Sequence, residues 1–149
     1  MIENGNTTQQ PDSEVSGYYE NYSETQKEVL AIEIHKTRNN LFIAAAILLV
    51  SGFLGLAMLS AFNLITVLAV SAIPVILTGL GFLANKEPLT AIIIAAVVFF
   101  GEWIYTIAIT GGRGAIMGWL VRAIVIYLLI AGLQHAKEAM RIKRELGVK

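Results

Sequence analysis

The chain has 149 residues, 56% of them hydrophobic and 15% charged, with a formal net charge of zero and no cysteine; its mean hydropathy is +0.66. Soluble domains carry roughly 45–50% apolar and about 25% charged residues, so the balance is that of a membrane protein. Without cysteine there is no disulfide, thiolate nucleophile or cysteine-held metal, and there is no basic surface for nucleic acid.

Residues 1–26 hold Glu3, Asp12, Glu14, Glu20 and Glu24 and no Lys or Arg. So polar and acidic a segment buries too little apolar surface to offset the entropy of ordering, and a disordered acidic tail is expected. No apolar stretch follows Met1, so a cleaved signal peptide is not expected. Tyr18, Tyr19 and Tyr22 interrupt the polarity.

Thr25-Gln26-Lys27-Glu28 has capping-box spacing, and a juxtamembrane helix is expected over 27–39, kept at the water boundary by Lys27, Glu28, Glu33, His35, Lys36 and Arg38. An uncharged apolar run then covers 41–62, long enough for a bilayer that needs about 20 residues. Ser51, Gly52 and Gly55 give it a small-residue face on which another backbone can close in. Asn63 alone separates it from a second run, 64–84, so the two form a tight hairpin. Pro74 lies mid-run and removes one backbone hydrogen bond, which Ser71 and Thr78 stand ready to relieve.

The turn Asn85-Lys86-Glu87-Pro88 opens a third run, 89–110, with the proline suited to the first helical position. A fourth run covers 115–134. Ala91, Ala95, Val98, Glu102, Tyr105 and Ile109 share one face of the third helix. Ala115, Gly118, Arg122, Val125, Leu129, Gly132 and Ala136 share one face of the fourth. Glu102 and Arg122 each lie ten residues from Gly112 at the centre of the intervening turn, so equal depth and an ion pair are expected. A lone charge at mid-bilayer costs about 2.5–3.5 kcal/mol on insertion scales. Trp103 and Trp119 suit an aromatic belt. The helix continues into a basic tail, 137–149, with Lys137, Arg141, Lys143, Arg144 and Lys149.

The expected fold is therefore all-α: an integral membrane bundle of four transmembrane helices in two antiparallel hairpins, spanning 40–136 with its tails. Nine of the eleven Lys and Arg residues flank one side if both termini are inside, leaving Arg113 outside and Arg122 within. The positive-inside rule then places both termini in the cytoplasm, as for a plasma (inner) membrane protein. His35 and His135 share that side, without the spacing of a metal site.

The turn at 85–90 and the ending Ala131-Gly132-Leu133-Gln134-His135-Ala136-Lys137-Glu138-Ala139 resemble small uncharacterised four-helix bacterial inner membrane proteins of no assigned function. The likeness covers about the last 65 residues and implies no catalytic residue or cofactor. Two functional classes follow from the residues. One is a structural or accessory subunit of a membrane complex, with the lipid bilayer and a membrane-protein partner or second copy around it. The other is a small proton-coupled transporter or channel in which Glu102 titrates against Arg122. An enzyme is not expected, because only Tyr105 and Thr106 accompany Glu102, and neither a nucleophile with its base nor a cofactor motif is present.

Overall fold

A computed structural model describes residues 11–58, 60, 62–110 and 118–147. Within them lie four helices, α1 (Pro11–Met58), α2 (Leu64–Leu83), α3 (Pro88–Thr110) and α4 (Trp119–Glu145). All four are long and apolar enough to cross a membrane.

The helix starts follow from local chemistry. At α2, the Asn63 side chain accepts from the Thr66 amide at 2.8 Å, and Thr66 Oγ1 accepts from the Asn63 amide at 3.2 Å. This reciprocal cap satisfies two of the donors that a helix start leaves open. Pro88 opens α3, where its missing N–H is no loss, and Thr90 donates to the Glu87 carboxylate at 2.9 Å. Gly118 precedes α4 in the left-handed region, at φ 78°. That conformation suits glycine; the start expected at residue 115 lies outside the described residues.

One expectation about boundaries changes. Residues 11–26, expected to be disordered, belong to α1, and no break separates them from the juxtamembrane stretch; residues 1–10 of the expected tail lie outside the described residues. Extending an existing helix adds one bond per residue fixed, without the cost of a new nucleus, and Pro11 with Asp12 and Glu14 suits a helix start. Within this extension Thr25 donates to the Asn21 carbonyl and Gln26 to the Tyr22 hydroxyl. The chain also runs helically through Pro74. There Thr78 donates to the carbonyl of Pro74 itself, at 2.8 Å, rather than to that of Val70, which loses its partner to the proline.

Helix α1 is the centre of the packing. Its buried residues Glu33, Thr37, Leu41, Ala44 and Ala45 recur every three to four positions and cross from the polar to the apolar part without interruption. Thr37 lies against Gly132 and Glu33 against His135, so α1 and α4 run in opposite directions. The face predicted for α4 is buried at Val125, Leu129, Gly132 and Ala136, and continues to Ala139 and Ile142 beyond the apolar stretch. On α3, Ala91, Ile92, Ala95 and Phe99 are buried, whereas Tyr105 and Ile109 are exposed.

Close approach is set by three glycines. A Cβ at Gly52 would overlap the Val70 side chain of α2, one at Gly81 would meet the Phe42 ring of α1, and one at Gly132 would stand 2.8 Å from Ile92 Cδ1 and 3.7 Å from Asn40 Cβ. Gly55, grouped with Gly52 by the sequence pattern, has open space at its Cβ position. Gly132→Leu should therefore destabilise the bundle by about 1–3 kcal/mol through overpacking. Gly55→Ala should leave a detergent melting curve unchanged or slightly raised. Melting curves of the two variants beside the parent check this.

Candidate functional site

The two charges that the sequence sets within apolar runs are Glu102 of α3 and Arg122 of α4. Ile92 of α3 meets Gly132 of α4, and ten residues outward along each helix come Glu102 and Arg122. They nevertheless do not form the expected ion pair. Glu102 is partly buried and accepts a 2.7 Å hydrogen bond from Thr106, one turn along its own helix. Arg122 lies in the first turn of α4 rather than deep within it. Its guanidinium carbon sits 5.5 Å from the centre of the Trp103 ring.

The separation has a structural reason. The α3 face is buried up to Phe99 and opens beyond it, and a 390 Å³ groove lies between α3 and α4 on one side of that seam, lined by Ile93, Val97, Phe100, Ile126 and Ile130 among others. The guanidinium lies instead on the aromatic face of Trp103, an attraction worth about 0.5–2 kcal/mol according to exposure. Trp103, read from the sequence as a belt residue, is the partly buried platform, while Trp119 is exposed as a belt residue would be. Arg122 Nη1 and Trp103 Nε1 are both buried without a hydrogen-bond partner.

A different polar cluster joins the helices at their other end. Glu33, buried on α1, accepts from His135 Nδ1 of α4 at 2.6 Å and from Lys36 at 2.8 Å. One turn on, the buried Thr37 hydroxyl donates to the Glu33 carbonyl at 3.0 Å, with the Gly132 carbonyl 3.5 Å away. Beside them Arg38 donates to His35 Nδ1 at 2.9 Å and to the Asn85 side chain at 3.3 Å, tying α1 to the turn between α2 and α3. Burial raises the Glu33 pKa, but the hydrogen bonds and charges of Lys36 and His135 outweigh it, and the carboxyl is held below its ordinary value.

No family model, curated protein or solved structure matches the chain. The likeness carried by residues 85–90 and 131–139 therefore brings no role to any side chain, and chemistry must be argued from geometry. Among the described residues no three His, Asp or Glu side chains gather as metal ligands. The Glu33–His135 contact was missed in the sequence because the pattern was sought only in the apolar runs. The signal was present: Glu33, Thr37 and Leu41 are spaced four apart and prolong the α1 stripe.

Two outcomes follow. Since Glu102 and Arg122 are not in contact, the destabilisations of Glu102→Gln and Arg122→Gln should add to within about 0.5 kcal/mol in the double variant, as for independent sites; a double-mutant melting cycle measures this. Glu33 has a lowered folded pKa, so its contribution is present above the unfolded value of about 4.3 and is lost as pH falls through the folded value. The α1–α4 contact should loosen on that acid side, and the loss should vanish in Glu33→Gln, as followed by hydrogen exchange at residues 30–37.

Proposed function

We propose that the chain is a multi-pass membrane protein that crosses the bilayer four times as two antiparallel hairpins, with both termini in the cytoplasm. We propose further that it serves as a non-catalytic structural or accessory subunit of a membrane complex. Four long apolar helices support the first part, together with the exposure of many large apolar side chains, among them Leu64, Ile65, Val97, Ile104 and Ile109. In water such a surface would drive aggregation, whereas in lipid it is the expected exterior.

One observation carries the second part. Helices α1 and α4 remain packed on each other past their apolar stretches, with Ala136, Ala139 and Ile142 buried and the Glu33–His135 contact at the base. The result is a paired helical arm with Lys137, Arg141 and Arg144 exposed along α4. A rigid, charged arm at the mouth of an apolar bundle suits docking to another protein, because its backbone is already ordered before the partner arrives. A proton-coupled carrier, the alternative, needs Glu102 to exchange its proton against a partner that moves. Its carboxylate is held instead by Thr106 on the same helix.

Reporter fusions after Lys149 and after Asn63 should report opposite sides of the membrane, with the C-terminal fusion cytoplasmic; an outside C-terminus overturns the four-span arrangement. For the role itself, affinity purification from native membranes in mild detergent should yield a partner at fixed stoichiometry. Lys137→Glu with Arg144→Glu should release that partner without lowering the amount of chain in the membrane. Purification of the chain alone, with a proton flux in liposomes that Glu102→Gln abolishes, would replace this reading by the carrier.

A further inference from the structure

Among the described residues the partly buried cation Arg122 has no counter-ion. The nearest acid in level, Glu102, is outside ion-pair distance and bound to Thr106. The segments joining the helices at this end, 59–63 and 111–118, contain no Asp or Glu. Two N–H groups, Arg122 Nη1 and Trp103 Nε1, are buried there without an acceptor, and they belong to side chains in contact, with the guanidinium 5.5 Å from the indole centre. In an apolar medium both the charge and the open donors are costly, so an anion with hydrogen-bond acceptors is what this place lacks.

What lies beneath fixes the kind of anion. The Phe100 ring is 6.2 Å from that of Trp103, and Phe100 is the outer wall of the 390 Å³ groove that descends between α3 and α4 to Leu133. Every residue lining it is apolar. From Arg122 to Leu133 is eleven residues along α4, roughly 16 Å, close to half of a 30 Å hydrocarbon core. One positive charge with two donors above a one-leaflet-deep apolar slot is complementary to an amphiphile with an anionic head and a hydrocarbon tail.

We infer that α3 and α4 bind an anionic phospholipid, its phosphate on Arg122 and Trp103 and one acyl chain in the groove between the helices. Phosphate oxygens accept from the planar guanidinium in parallel and have capacity left for the indole N–H. The site is independent of whichever complex the chain joins.

The test uses the full chain in neutral detergent, titrated with phosphatidylglycerol or with phosphatidylcholine of the same acyl chains, and read by native mass spectrometry and thermal melting. Phosphatidylglycerol should remain as a one-to-one adduct and raise the melting temperature, and phosphatidylcholine should do neither. Arg122→Gln, which breaks no ion pair, should weaken phosphatidylglycerol binding at least tenfold, beyond the small loss of lipid-free stability that follows from giving up the Trp103 contact. Trp103→Phe, which keeps the ring and removes the N–H, should weaken it less, and it serves as the second variant if Arg122→Gln does not fold. Ala96→Phe, which fills the groove, should lose the lipid with Arg122 intact. Equal retention of the two lipids, or unchanged binding in the folded Arg122 and Trp103 variants, overturns the site. Displacement of the lipid by an equal concentration of oleate makes it a fatty-acid site instead. A lipid-free dimer that Ala96→Phe splits gives the groove to a second copy of the chain.

Discussion

The close approach of α1 and α4 at Gly132 is the constraint on which the rest of the arrangement depends. Three helices meet at that residue: Thr37 and Asn40 come from α1, Ile92 from α3, and the glycine itself from α4. In a lipid surrounding there is little hydrophobic gain in bringing helices together, because a lipid tail is as apolar as a leucine. What holds them is contact density, and a residue without a side chain permits the most. The small residues Ala44, Ala91, Ala95 and Ala136, all buried, extend the same principle along the seam.

Around this contact the polar end of the bundle is organised as a collar. Glu33 reaches α4 through His135, and Arg38 reaches the turn between α2 and α3 through Asn85. A buried carboxylate is a poor source of net stability, since desolvation offsets much of its attraction. Its value here is registry: a slip of one turn between α1 and α4 would leave Glu33 buried without His135, and that alternative is strongly disfavoured. Lys36, half exposed and on the same helix, adds charge without restricting which helix is the neighbour.

The opposite end is looser for the same geometric reason. Helix α4 begins only after the left-handed Gly118, and α3 is buried no further than Phe99. The two charges find different partners there. Each takes the partner at hand: Glu102 a hydroxyl four residues away, Arg122 an aromatic face. Two N–H groups remain open there, near the apolar groove between α3 and α4.

The sequence by itself determined an all-helical arrangement with four apolar runs of bilayer length, matched by four helices among the described residues, because runs separated by Asn63 and by Asn85-Lys86-Glu87-Pro88 that are this apolar satisfy their backbone bonds best within themselves. Helical period also anticipated the buried face of α4 at Val125, Leu129, Gly132 and Ala136, but on α3 it anticipated only Ala91 and Ala95, since Tyr105 and Ile109 are exposed. Which partner Glu102 and Arg122 each take was decided by the tertiary structure, since it depends on how the side chains of two helices meet, which is not a property of one helix. The Glu33–His135 contact was decided there too: 102 residues separate the pair, and only the packing of α1 on α4 brings a carboxylate from one polar tail to a histidine in the other.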